Sequence, residues 1–559
     1  VLRLLALPLL LLAVPLAGAD PMLVAVVPDL PGSEAGGEAF AVGSDTAADL
    51  SGWTVTDGDR AFTFPAGTAA TPGQPVWVAM NQAEWARHGG PPALLGDLRL
   101  GNDGDTLRLL DPAGAEADAV SWESASPGLV LQRDRDPLWV DTDRPQDWAT
   151  PRTHKVGETA LPQPTFTVQA ITAYASPDSS FAVLDGLARG ARERLHLHVY
   201  ELRSMELVDA LVAAKAASPG LDLQVLVDEA PVGMTASERH LTADALRRVQ
   251  AAGGQAWLAQ PGRYDDWHLK VLVADGVVAL QSENWVASGV PVDPSTGNRG
   301  WGVALQSREA ADWFAGWMAA DRAAWDVAPF ELAAFDPQFE PPGRAAARVG
   351  DYGPLVPARR LDGPFEVVPL VAPDHTADPR RDPVARLVAA AQRRVDAQQL
   401  DLAVEARNQV GWAGPDPLAA AFAEAAGRGV AVRVQAAAPF AATDAGNGPE
   451  LAWLAARGVA TQVLDRPGLG TLHNKGIVVD DAVVLGSMNG NHHSRSENRE
   501  AGVVLRGPGV ADYYAALFEA DWAGETERDW SVVGQDLRGL PAQGPIVILG
   551  LLLASRSRR

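Results

Sequence analysis

The stretch His268-Leu269-Lys270-Val271-Leu272-Val273-Ala274-Asp275-Gly276-Val277-Val278-Ala279-Leu280-Gln281-Ser282-Glu283-Asn284 has a counterpart further along the chain. That counterpart reads His473-Asn474-Lys475-Gly476-Ile477-Val478-Val479-Asp480-Asp481-Ala482-Val483-Val484-Leu485-Gly486-Ser487-Met488-Asn489. Both spell His-x-Lys-x4-Asp-x6-Ser-x-Asn, and they take up two of the only four lysines, the others being Lys155 and Lys215. The apolar runs after each lysine read as strands, so His and Lys, two apart, project from the same face. Gly276 and Asp481-Ala482 turn the chain, and a returning strand brings Ser and Asn alongside. Each hairpin thus gathers an imidazole, an ammonium, a hydroxyl and an amide.

Outward from these hairpins the two copies share a grammar. Residues 182–192 and 207–217 read as helices and 195–200 and 221–228 as strands; 383–393 and 418–427 repeat the helices, 395–402 and 430–435 the strands. Alternation of strand and helix predicts layered α/β halves, at 165–340 and 365–528, with a Pro- and Gly-rich linker at 341–364. The repeat is far longer than that of a solenoid.

Upstream, residues 20–125 carry short β-rich pieces between Gly, Pro and Asp turns, the pattern of a β-sandwich. Asp49-Leu50-Ser51-Gly52-Trp53, Phe64-Pro65-Ala66-Gly67 and Leu100-Gly101-Asn102-Asp103-Gly104-Asp105 resemble the lamin-tail domain, which implies an immunoglobulin-like sandwich serving attachment or spacing. Residues 126–164, rich in Asp, Pro and Arg, read as a linker. At the ends, residues 1–19 have the apolar run and small-x-small site of a secretory signal. Residues 540–559 pair an apolar run with a basic tail and resemble a cell-surface sorting or anchoring segment. An exported protein, extracellular or attached to the cell surface, is expected. The absence of cysteine excludes disulfides, thiolate metal sites and cysteine nucleophiles. The net charge of −24 argues against a broad nucleic-acid-binding face.

The duplicated motif resembles that of the phospholipase D superfamily over roughly residues 165–524. The resemblance implies two α/β halves packed about a pseudo-twofold axis, with both histidines at one phosphodiester. One histidine attacks phosphorus to give a phosphohistidine; the other protonates the leaving oxygen and then activates water or an alcohol. The implied catalytic set is His268, Lys270, Asp275, Ser282 and Asn284 with His473, Lys475, Asp480, Ser487, Asn489 and Glu500. Lysines and asparagines would face the non-bridging oxygens, and no metal or cofactor is called for. A single-chain site needs no dimer. Asp275 and Asp480 are expected as structural ion-pair partners rather than proton carriers.

The halves differ. Glu500 stands where the resemblance places a carboxylate that orients its histidine, making His473 the better-oriented of the two. The first copy has Gly300 at that position and Gln281 in place of a glycine such as Gly486. Asp265, Asp266 or Glu283 could serve His268 instead. His492 and His493 read as pocket-lining or exposed, not as metal ligands. Three functions fit: a phospholipase or phosphatidyltransferase, including cardiolipin-synthase-like exchange; an extracellular nuclease; or a surface-binding protein with a decayed site. Phospholipid is the favoured substrate, with membrane or cell-surface association.

Overall fold

The computed structural model describes residues 21–32, 37–341, 349–353, 356–438, 446–464, 466 and 468–524. The expected signal at 1–19 and tail at 540–559 lie outside the described residues. No helix among the described residues is long and apolar enough to cross a membrane.

The first half of the duplicated body contains β1 (Phe166–Ser176), α1 (Ser180–Gly190), β2 (Arg194–Val199), α2 (Met205–Ala217), β3 (Asp222–Asp228), α3 (Ala236–Ala251) and β4 (Gln255–Ala259). It continues with β5 (Lys270–Ala274), β6 (Val277–Gln281), β7 (Gly297–Gln306), α4 (Arg308–Arg322) and β8 (Val327–Pro329). The second half opens on β9 (Arg359–Ala372), then α5 (Pro383–Ala389), β10 (Arg394–Gln399), α6 (Pro417–Gly427), β11 (Ala431–Ala437), α7 (Gly448–Ala455), β12 (Ala460–Leu464) and β13 (Leu469–Leu472). It closes with β14 (Ile477–Val479), β15 (Ala482–Gly486), α8 (His492–Ser496), β16 (Glu500–Arg506) and α9 (Val510–Ala523).

Among the described residues sixteen strands join in one sheet, ordered β8-β4-β3-β2-β5-β6-β7-β1-β9-β16-β15-β14-β10-β11-β12, with β13 pairing β7. For seven strands the order reads the same outward in both directions from the β1–β9 junction, with β8 added at one edge, so the sequence repeat becomes a pseudo-twofold in the fold. The expected helices and strands of the two copies fall within a few residues of those observed. β2 and β3 run parallel, as do β10 and β11, and their buried apolar runs are what two-sided burial demands. Helices start where the sequence supplies caps: Thr235 and Glu238 form a capping box on α3, while Asp382-Pro383 and Asp416-Pro417 cap α5 and α6. One apolar core joins the halves, with Val271, Trp301, Phe314 and Trp317 in the same cluster as Val478, Val503, Tyr513 and Phe518.

Two buried arginines reinforce this join in mirror fashion. Arg299 on β7 meets Asp178, just past β1, and Asp521 on α9 of the other half. Arg499, just before β16, meets Asp374, just past β9, and Asp321 on α4 of the other half. Each arginine therefore clamps the opposite half's last long helix, and each is followed directly by the residue, Gly300 or Glu500, that faces the two-histidine centre.

Two expected linkers are corrected. Within 126–164, strand Leu129–Gln132 pairs with Met22–Val27, and His154–Lys155 pairs with it in turn. Arg133 is buried against Asp118, and Trp148 joins the core formed by Phe40, Val55, Leu107 and Trp122. The segment belongs to the N-terminal module, whose two sheets of six and four strands share that core. The linker expected at 341–364 ends earlier, because β9 begins at Arg359 and pairs with β1 from Phe166 to Ala173.

Candidate active site

The β5–β6 and β14–β15 hairpins place the two motifs as strand geometry requires. Lys270 pairs with Val199 at the end of β2, and Tyr200 N–H donates to the Leu269 carbonyl. In the second half Leu400 N–H donates to the Asn474 carbonyl. Each lysine Nζ also donates to its own histidine's carbonyl, Lys270 at 3.0 Å and Lys475 at 2.8 Å. The hairpins thus fix both imidazoles and both ammonium groups in the same way.

The carboxylates cross between halves. Nδ1 of His268 lies 3.0 and 2.9 Å from the two oxygens of Glu500. Ser494 Oγ donates to the same carboxyl group at 2.5 Å. Nδ1 of His473 lies 3.4 Å from Oε1 of Glu283, on the first half. The expectation that Glu500 serves His473 is corrected: Glu500 serves His268, and of the candidates for His268 neither Asp265, Asp266 nor Glu283 takes that place. Lys475 Nζ also stands 3.1 Å from His473 Nδ1.

Burial sets the electrostatics. It holds His268 well below the usual imidazole range, with Lys270 and Lys475 adding to the effect. Burial and the charge of Lys475 lower His473. Lys270 is pushed down to about 8 by burial, against the pull of Glu500 and other carboxylates. Lys475 is pushed down to about 7 by burial and then by the charge of Lys270. Glu500, with no exposed surface, is pushed up to about 7 by burial. Such a centre of clustered cations is short of negative charge, and a bound anion would relieve it.

Residues 381–522, most of the second half, match the family model described as "Cardiolipin synthase, PLD-like domain". These residues are a PLD-like domain. Similar solved structures include a phosphatidylserine synthase from Haemophilus influenzae Rd KW20, at 15% identity and a TM-score of 0.48, covering 65% of this chain and 87% of that one. Another is the phospholipase D family member Nuc from Salmonella typhimurium, at 17% identity and a TM-score of 0.24, covering 29% of this chain and 97% of that one. NucT from Helicobacter pylori is similar at 16% identity, with a TM-score of 0.23 and 29% and 98% of the two chains covered. No curated protein matches the chain.

In the PLD-like domain and its partner half, the other expected residues divide into two groups. Ser282 Oγ accepts from Trp301 N–H and Ser487 Oγ from Ala501 N–H, so both pin the strand that follows. Asn284 donates to Glu201. Asn284 and Asn489 each keep a buried Oδ1 without a hydrogen-bond partner among the described residues. Asp275 and Asp480 lie elsewhere. Each occupies a two-residue turn in the left-handed region, at φ 51° and 53°. Asp275 accepts from the backbone N–H groups of Arg192, Glu193 and Arg194, and Asp480 from those of Gln392, Arg393 and Arg394. Their place in the catalytic set is corrected. Each lies five positions along the chain from its lysine, roughly 16 Å of extended backbone, and their partners are mainly the N–H groups at the start of β2 and β10 rather than cations.

Tyr200 was not singled out from sequence. Its ring meets the His268 imidazole edge-on with centroids 4.8 Å apart, and Lys270 Nζ stands 5.2 Å from the ring centroid. Its hydroxyl accepts from Val232 N–H. The signal available was its position directly after β2, where the second half has Leu400. His492 is buried and bonds the Pro151 carbonyl, while His493 is half-exposed. His493, Asp265 and Glu497 bring ligand-type atoms within 4.8 Å of one another. Lys155 already pairs with Asp265, and Gln409 and Thr153 donate to Glu497, so the niche is filled by protein groups.

Proposed function

We propose that the chain is an exported phosphodiesterase of the phospholipase D type that forms a phosphohistidine on His268, with phospholipid as substrate. The observation that carries this reading is the pair of buried imidazoles, each facing a carboxylate from the opposite half and each beside its own motif lysine. A carboxylate can only accept, so Glu500 fixes the neutral His268 proton on Nδ1 and leaves the Nε2 lone pair free. Nε2 attacks phosphorus while the bond to the leaving alcohol breaks. His473 gives its Nε2 proton to that oxygen, becoming neutral. In the second step His473 takes a proton from water or an alcohol, whose oxygen attacks phosphorus and releases His268. Lys270 and Lys475 neutralise the non-bridging oxygens throughout.

Phospholipid is favoured over nucleic acid by the chain's net charge of −24 and by the carboxylates of Glu201, Asp266 and Asp401, whose charges act on the two lysines. A long polyanion would meet that surface unfavourably, whereas a diester with one negative charge would not. The N-terminal module, read as lamin-tail-like, would serve attachment. Purified protein should release headgroup from phosphatidylglycerol or phosphatidylcholine vesicles and leave single- and double-stranded DNA intact. Cleavage of DNA with inert vesicles would replace the lipid reading by the nuclease one. Turnover of neither would sink both.

The same assay carries a pH prediction. Below about 7 Glu500 gains a proton and loses its grip on the Nδ1 proton of His268. On the basic side His473, lowered by burial and by Lys475, gives up its proton first, and above about 7 to 8 Lys475 and then Lys270 lose their charge. Log kcat/KM should therefore rise and fall about a narrow neutral optimum, the limbs belonging to the coupled cluster. A flat profile from pH 6 to 9 would contradict it.

A further inference from the structure

The first half lacks a carboxylate at Gly300, the position that the mirrored arginine clamps match to Glu500. A Cβ built on Gly300 would lie 2.2 Å from Oε1 of Glu283, 2.6 Å from its Cγ and 2.5 Å from Ser282 Oγ. The Glu283 side chain thus occupies the volume that a side chain at 300 would fill, and from there its Oε1 reaches His473 at 3.4 Å. It is 1% exposed. The second half shows the complementary choice: Met488 stands where Glu283 does and packs into that half's core, while the carboxylate comes from Glu500. Gln281, the other departure of the first half, joins the same arrangement. Its Nε2 donates to the Glu283 carbonyl at 2.9 Å, and its Oε1 accepts from Tyr174. The matching Gly486 has φ 155°, and a Cβ there would lie 2.4 Å from the Ala501 carbonyl, so no anchoring amide could stand in the second half.

We propose that Glu283 is the positioning residue of His473, the carboxylate of this half having moved from the β7 strand to the β6 strand end, with Gly300 making room and Gln281 holding its backbone. The proposal rests on His473 as the acid and base of the reaction. In that role its imidazolium must keep a proton on Nδ1 while Nε2 gives one up, and a carboxylate facing Nδ1 stabilises and orients that form. When a substrate phosphate draws Lys475 away from Nδ1, Glu283 is the partner left to it.

The test has two independent readouts. Glu283→Gln, which keeps the shape, should lower kcat roughly 100-fold with KM little changed. Glu283→Met with Gly300→Glu copies the second half's arrangement and should recover at least about ten-fold of that loss, whereas Gly300→Glu alone, with two carboxylates in one volume, should not. Ring-nitrogen NMR titration of His473 needs no turnover: Glu283→Gln should shift its titration to lower pH and leave that of His268 in place. Unchanged kcat together with an unmoved His473 titration would overturn the role of Glu283. A moved titration in a protein that cleaves no phosphodiester would uphold the contact and overturn the catalytic reading instead.

Discussion

His268→Ala is expected to reduce turnover by at least about 10⁴-fold while leaving the fold intact. In the proposed reaction His268 supplies the atom that bonds to phosphorus, so its loss would remove the covalent step rather than weaken it. The neighbouring groups cannot take over. Tyr200 is pushed far above the neutral range by burial and nearby carboxylates, and Lys270 is held against the backbone of residue 268. Structural damage should be small, because Glu500 keeps Ser494 and Asn498 as donors when the imidazole is gone. Thermal unfolding measured beside the vesicle assay separates the two effects. Residual activity within about ten-fold of wild type would mean that another group attacks phosphorus.

Arg499→Ala is expected to have the largest effect on stability. Its guanidinium has no exposed surface and meets Asp321 through two nitrogens, Asp374 and the Ala372 carbonyl, with the Tyr264 and Trp317 rings against it. Removing it leaves two carboxylates of opposite halves buried, Asp321 with only Arg263 at 3.9 Å and Asp374 with the Thr159 hydroxyl and the Leu161 N–H, a loss of about 3 kcal/mol. For a body of this size that corresponds to a fall in Tm of about 5 °C. Arg499→Lys keeps a charge without the planar fork and should fall between. The mirror variant Arg299→Ala should behave alike, since Asp178 and Asp521 are as deeply buried. A Tm within about 1 °C of wild type would place these pairs with exposed ion pairs of little net effect.

Much of this was legible in the sequence, because it depends on local pattern. The identical spacing of His268, Lys270, Ser282 and Asn284 with His473, Lys475, Ser487 and Asn489 marks the hairpins, and strand periodicity brings each His and Lys together. What sequence could not supply is the pairing across the twofold. His268 and Glu500 are separated by 232 positions, and a carboxylate on one copy naturally reads as serving its own histidine. The apparent defect at Gly300 is of the same kind: only the packed volume links it to Glu283. Asp275 and Asp480 are a different case. Their distance from the lysines follows from strand rise alone, and the shared motif obscured it. The segment around Leu129–Gln132 hid among Asp, Pro and Arg because a strand of only four residues leaves little periodicity to read. The repeated Asn-Arg of 298–299 and 498–499 was visible, but its clamp role depends on helices far along the chain.

The proposed reaction passes through a covalent phosphatidyl-enzyme on His268, oriented from the opposite half by Glu500. Rapid acid-free quenching during turnover of ³²P-labelled phospholipid, followed by proteolysis and peptide mass spectrometry, tests it directly. The prediction is an acid-labile phosphatidyl group, bonded through phosphorus, on the peptide containing His268, absent in His268→Ala and formed more slowly in His473→Ala, which lacks the proton donor to the leaving oxygen. Phosphate on the His473 peptide, or none on either histidine in a turning-over enzyme, would contradict it.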